Sequence, residues 1–194
     1  MVGPRLKLED VPRFEALVGA LKKAYRSYRR SRRGVKSLRD LALIAVLIYT
    51  GCRLGEALAL TNQDVDPVAK TIRIMQLKKR RPHPRIVPVP SPLFWRIMNE
   101  YLEVLPGDKL FTITDRQARN IVYWFTRKYL GRRCRPHAIR HAYATYILKT
   151  TKNLETLRRL LGHEGYQVLK AYLDYTQEDL RTELEEAFSR LEII

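Results

Sequence analysis

The sequence predicts an α+β domain, mainly α-helical, with a small antiparallel sheet built on one hairpin. Three observations carry that prediction. Apolar residues recur at helical spacing through most of the 194 residues. Two short β-branched runs, TIRIMQL and RIVPV, break that spacing and are joined by the turn-rich KKRRPHP. No internal repeat or low-complexity linker divides the chain, so residues 1–194 read as one domain with a single core.

Each element has its own signal. Asp10 and Pro12 open a first helix whose apolar face carries Phe14, Leu17, Val18, Leu21, Tyr25 and Tyr28. Its far end runs into YRSYRRSRRG, too charged to bury, which reads either as a loop or as a helix end lying against phosphates. Ser37 with Asp40 resembles a capping box, and the run LALIAVLIY behind it is apolar on all sides, which places this helix in the core. Gly51 breaks the chain just before Arg53, and LGEALAL makes a short helix ending near Asn62. Asp66-Pro67 turns the chain into the first strand, and Pro88 and Pro90 make the last strand an edge or a strand end. Ser91-Pro92 starts a helix with Leu93, Ile97, Met98, Tyr101 and Leu105 as its buried stripe, and Pro106-Gly107 stops it. Thr114 with Gln117 resembles a second capping box, for a helix running to Leu130 before Gly131. Pro136 opens HAIRHAYATYIL, Asn153 caps ETLRRLL, and Gly162 ends that helix. Two helical stretches remain, one around Tyr172 and one carrying Leu180, Leu184, Ala187, Phe188 and Leu191.

Charge narrows the function. Thirty-seven Lys and Arg against twenty Asp and Glu give a net charge of +17, which implies a polyanionic partner. Nine bases and no acid lie between Lys22 and Arg39, whereas Asp174 to Ile194 holds seven acids and two bases. A basic body with an acidic tail suits nucleic-acid binding followed by a protein–protein contact. Cys52 and Cys134 fit no zinc or disulfide spacing, so a reduced, cytoplasmic compartment is expected. The longest apolar run, Leu41 to Tyr49, is far too short to span a bilayer, so no membrane partner is expected.

Several residues have the chemistry of a phosphate site, and each has an ordinary structural counterpart. Arg53 follows a glycine break at a helix start, where a guanidinium fork can hold a phosphate or make a surface ion pair. His137, Arg140 and His141 stand at i, i+3 and i+4, on one helix face. The interposed arginine repels a divalent cation, and no glutamate follows the first histidine as in HExxH, so zinc is not expected. Of the two histidines, His141 is the better candidate for a packed core residue. His163 follows Gly162 at a helix C-terminus, a place that favours a protonated ring or a simple C-cap. Tyr166, Tyr172 and Tyr175 lie on an ordinary amphipathic segment that marks none of them as a nucleophile.

Taken together, the fragments resemble a known family. TGCRLGEALAL, a lysine-bearing hairpin, HAIRH, LLGH and a tyrosine nine residues after His163 resemble the tyrosine recombinases (phage-integrase family) over nearly the whole chain. The resemblance implies that Arg53 and Arg140 clamp the scissile phosphate and that His137 and His163 fill the family's two histidine positions. It implies that Tyr172 is the nucleophile, with Tyr175 in reserve, and that Glu56 orients the site. The hairpin lysine falls on Lys78, with Lys79 adjacent. It further implies double-stranded DNA as partner, strand exchange within a tetrameric synapse, and chemistry without cofactor or metal. A relaxing or telomere-resolving enzyme, and a non-catalytic DNA-binding protein on the same scaffold, are the alternative outcomes. The family's separate N-terminal helical domain is expected to be absent, and residues 177–194 are expected to form a helix docked on a neighbouring protomer or on its own domain.

Overall fold

A computed structural model describes residues 11–31, 35–76 and 83–162. Helix α1 spans Phe14–Ser31 and α2 spans Val35–Thr50. They form an antiparallel hairpin: Phe14 at the start of α1 meets Tyr49 near the end of α2 edge to face, ring centroids 6.3 Å apart. Of the two readings of the charged stretch, the helical one describes it as far as Ser31. The expected cap of α2 is corrected. Helix α2 already includes Ser37 and Asp40, and the Asp40 carboxylate accepts from Arg39 Nη2 at 2.6 Å. From Ala42 to Ile48 no residue is more than 1% exposed, so α2 is the central helix, as its all-round apolar surface requires.

After α2 the chain makes the short α3 (Leu54–Leu58), then a 3₁₀ turn at Asn62–Asp64. Three antiparallel strands follow in the order β1 (Val65–Asp66), β2 (Thr71–Met75) and β3 (Pro84–Pro88). Ile72 stands opposite both Val65 and Val87, and Ile74 stands opposite Arg85. The expected hairpin is therefore present with one strand more than foreseen. Asp66 belongs to that added strand and also makes the turn, its Oδ1 accepting from the N–H groups of Val68 and Ala69 at 2.9 and 2.8 Å. Pro88 lies on an edge strand, where a missing N–H costs no ladder bond.

Helix α4 (Pro92–Glu103) is capped by Ser91, whose hydroxyl accepts from Phe94 N. Its buried face is Phe94, Ile97, Met98 and Tyr101 with Trp95 beside it, rather than a stripe bounded by Leu93 and Leu105. Those two leucines flank the face and are only partly covered. Phe94 packs on Tyr49, and Trp95 Nε1 donates to the Val89 carbonyl at 2.6 Å. Helix α5 (Asp115–Leu130) has the reciprocal Thr114–Gln117 capping box that its sequence predicts. Helix α6 (Pro136–Thr151) begins at its proline, and α7 (Leu154–Leu161) is capped by Asn153, which accepts from Thr156 N at 2.9 Å. Among the described residues no helix is long and apolar enough to cross a membrane. The helical stretches expected around Tyr172 and over 177–194 lie outside the described residues.

Candidate active site

Three parts of the chain meet at the turn that follows α2. Gly51 has a left-handed φ of 58°, which lets the chain leave α2 and enter α3 with three residues between them. A Cβ at this position would lie 2.3 Å from Tyr143 Cδ1 on α6, so α6 closes directly onto the turn. The turn delivers Arg53 to the start of α3, with Glu56 three residues on. The Glu56 carboxylate accepts the Arg53 backbone N–H through Oε2 and Arg53 Nη1 through Oε1, both at 3.0 Å. Arg53 keeps 35% of its side chain open to solvent, whereas Glu56 keeps 2%. The ion-pair reading of Arg53 holds for one edge of its guanidinium, and the rest is accessible.

Arg140 comes from the first half of α6 and is buried. Its Nη1 donates to the Gly51 carbonyl at 2.7 Å, and its Nη2 to the Leu161 carbonyl at 3.1 Å. These bonds tie the end of α2 to the end of α7. They also satisfy two carbonyls that helix termini leave without an intrahelical partner.

Arg85 is the site residue that sequence reasoning missed. It projects from the inward face of β3, donating from Nη2 to Glu56 Oε2 at 2.7 Å and from Nε to the Leu160 carbonyl at 2.9 Å. Its Nη1 is buried with no acceptor among the described residues. A signal was available: strand residues alternate, and Arg85 shares the inward side of β3 with Val87. A charge on that side must be paired to be tolerated. Burial alone would push the Glu56 carboxyl up. The hydrogen bond and charge of Arg85, with both donors of Arg53, outweigh it and hold the carboxyl below its usual value. Glu56 is therefore ionised and holds two arginines.

His137 and His141 share the outer side of α6, one turn apart. Their Nε2 atoms are 3.2 Å apart and their rings meet edge to face, with centroids 4.7 Å apart. One ring donates and the other accepts, according to tautomer. Burial pushes the His141 pKa down to about 4, with the nearby charges of His137 and Arg140 adding to the shift. His141 is then neutral at pH 7 and half-buried, while His137 is exposed. His141 is the more covered of the two, though half-buried and outside the core. Among the described residues no three His, Cys, Asp or Glu side chains gather into a group that could hold a metal ion.

The sheet reaches this cluster at Gln76. Its N–H donates to the His83 carbonyl at 3.1 Å, carrying the β2–β3 ladder one pair further. Its side chain lies against Gly162, where a Cβ would come within 2.4 Å of Gln76 Nε2. Gln76 precedes Lys78 by two residues, and Gly162 precedes His163 by one. Lys78, Lys79, His163, Tyr166, Tyr172 and Tyr175 themselves lie outside the described residues. The described geometry brings Arg53 and Arg140 to one turn, sets His137 one helical turn before Arg140, and adds Arg85 and Glu56. Three guanidiniums against one carboxylate leave two positive charges in excess, an arrangement suited to an anion.

Comparison with known proteins places this geometry. The model of the phage integrase family matches residues 18–179. Tyrosine recombinase XerA of Thermococcus onnurineus is 31% identical over 159 residues, covering 77% of this chain and 55% of the relative. Tyrosine recombinase XerC of Halalkalibacterium halodurans is 29% identical over 163 residues, covering 74% of this chain and 52% of the relative. The chain spans about half the length of these curated relatives. The crystal structure of the XerH site-specific recombinase bound to difH substrate, a pre-cleavage complex, matches with a TM-score of 0.73 at 24% identity. That match covers 98% of this chain and 57% of the other, and is a likeness of fold.

Proposed function

The chain belongs to the phage integrase family, and on that premise we propose that it is the catalytic domain of a site-specific DNA recombinase. It cleaves and rejoins double-stranded DNA through a 3′-phosphotyrosyl intermediate. The observation that carries this reading is the meeting of Arg53 and Arg140 at one turn, through the 2.7 Å bond from Arg140 to Gly51.

In the proposed reaction the Tyr172 phenolic oxygen attacks the scissile phosphorus as the bond to the 5′ oxygen breaks. Tyrosine is a weak nucleophile at its ordinary pKa near 10, so its proton must leave during attack. His137 takes that proton. The neighbouring His141 resists protonation, which leaves the exposed ring of the pair as the acceptor. Lys78 protonates the departing 5′ oxygen. Arg53 and Arg140 balance the charge that grows on the non-bridging oxygens, with His163 adding a donor. The tyrosyl ester conserves the energy of the original phosphodiester, so a 5′ hydroxyl from another strand reverses the step without nucleotide or metal. In the whole protein, strand exchange proceeds in a tetrameric synapse, and residues 177–194 dock between protomers.

The test is a suicide duplex that traps cleavage, scored for an SDS-resistant protein–DNA adduct. The adduct is expected from the unaltered chain and from Tyr175→Phe, and is lost in Tyr172→Phe. The reverse pattern moves the nucleophile to Tyr175, and absence of any adduct overturns the catalytic reading. Lys78→Ala, unlike Lys79→Ala, should be rescued by a 5′-bridging sulfur leaving group, which needs no acid.

A further inference from the structure

The basic stretch that opens at Lys22 is not used by the active site, and the fold gives it a defined shape. Lys22, Arg26, Arg29 and Arg30 recur at i, i+4, i+7 and i+8 along α1, so they share one face. Helix α4 stands alongside and contributes Leu93, Arg96 and Glu100. Together with Tyr25 these residues line an open groove of about 710 Å³. All five cations are exposed. The groove contains one acid, Glu100, which accepts from Arg29 Nη1 at 3.1 Å and from the Tyr25 hydroxyl. Among the described residues Lys22, Arg26, Arg30 and Arg96 make no ion pair, although Arg96 stands one helical turn before Glu100.

The α1 cations of the groove are also displaced along the helix from the active site. Helices α1 and α2 are antiparallel, with Phe14 against Tyr49 at the end of α2 that leads to Arg53. Arg26 and Arg30 lie 12 and 16 residues further along α1 than Phe14. At ~1.5 Å per residue this is roughly 18–24 Å from the Phe14 level. From Lys22 to Arg30 the cations extend over about 12 Å. Phosphates of one DNA strand follow at ~3.4 Å along the axis, so this length faces roughly three to four of them. Three cations on this length, Lys22, Arg26 and Arg30, make no ion pair.

We propose that the α1–α4 groove is a second binding site for the phosphodiester backbone of duplex DNA, holding a segment other than the one at Arg53 and Arg140. The inference rests on the recombinase reading above. One protomer would then hold two stretches of duplex, the second without regard to sequence, because the groove offers cations rather than base-reading groups.

The test is a two-duplex capture assay with the full chain. Protein is bound to a duplex fixed on beads, and a labelled duplex of unrelated sequence is added at low salt. Capture of the labelled duplex is expected for the unaltered chain and for Arg26→Lys/Arg30→Lys. It should fall at least tenfold in Arg26→Glu/Arg30→Glu, with binding to the fixed duplex changed less than threefold. The salt dependence of the second capture should become shallower by about 1.8 in log–log slope, ~0.9 for each lost phosphate contact. Unchanged capture after charge reversal, or an equal loss of both duplexes, overturns the proposal. Loss of sedimentation with phosphatidylserine vesicles, with duplex capture intact, also overturns it and assigns the groove to a membrane surface. Failure of the unaltered chain to hold even the fixed duplex counts against the recombinase reading itself, so the two ideas fail in different ways.

Discussion

Glu56 and Arg85, on α3 and β3, make a 2.7 Å ion pair in which the glutamate side chain is 2% exposed and the arginine 6%. The same carboxylate holds Arg53, so the accessible guanidinium of the site is positioned by a pair that water does not reach.

Removing one partner should cost far more than removing both. Glu56→Ala leaves Arg85 charged and buried beside a carboxylate-sized gap, and about 3–5 kcal/mol of stability should be lost. Glu56→Ala/Arg85→Met should lose clearly less than the sum of Glu56→Ala and Arg85→Met alone. Urea denaturation of the four proteins measures this, and strictly additive losses would refute the coupling.

The two arginines of the proposed clamp should separate in what they do to folding. Arg53 is partly solvated, so Arg53→Ala should leave the thermal midpoint nearly unchanged. Arg140→Ala removes the partner of two carbonyls at helix ends, Gly51 and Leu161, and should lower it by several degrees. Both changes, and Arg53→Lys with its folding intact, should slow adduct formation by about 10²–10³-fold. Calorimetry and the suicide-duplex assay separate these effects.

Gly51→Ala should destabilise by about 1–3 kcal/mol through backbone strain alone, and more because the new methyl meets the Tyr143 ring. Gly162→Ala also sits at positive φ, but its methyl meets the end of a flexible glutamine, which can turn away. Its cost should stay near the same strain term, about 1–3 kcal/mol. Equal losses in both variants would show that the contact with Tyr143 contributes nothing.

Acid should weaken the fold in two windows. The His141 pKa is about 4 folded against 6.5 as a free side chain, so between these values the unfolded chain binds more protons. Stability from this group is complete above pH 6.5 and is lost as pH falls through about 4. Glu56 is also held below its ordinary value, so its contribution persists above the usual carboxylate range and disappears at still lower pH. Denaturation midpoints against pH should lose the upper slope in His141→Phe. Proton-resonance titration should find one imidazole near pH 4, and a normal value for both rings would sink this account.

Most of the fold was legible because its signals are local. Thr114 with Gln117, Ser91, Asn153 and Pro136 each act within four residues, and each sits at the helix start that its sequence predicts. The false cap at Ser37 and Asp40 shows the limit of that logic. The same residue pattern sits one turn inside α2, where Arg39 takes the aspartate. In the site, Arg53, His137 and Arg140 were legible because they lie in compact motifs. Arg85 was not, because its role depends on two partners, Glu56 and Leu160, that are 29 and 75 residues away in sequence. Strand alternation marked its inward side, but only the folded chain supplies the carboxylate that makes an inward arginine tolerable. The added strand β1 is two residues long, shorter than any periodicity can register.

Helix α7 has only eight residues, too few to persist as an isolated helix in water. Its last two carbonyls are latched by Arg85 and Arg140, so its amides should remain protected from solvent exchange only while both latches hold. Opening of this helix then requires breaking the buried arginine contacts but not melting the core around α2. Deuterium uptake at Leu157 and Leu161 becomes a clock for the integrity of the guanidinium pair, readable in the free protein before any DNA is added.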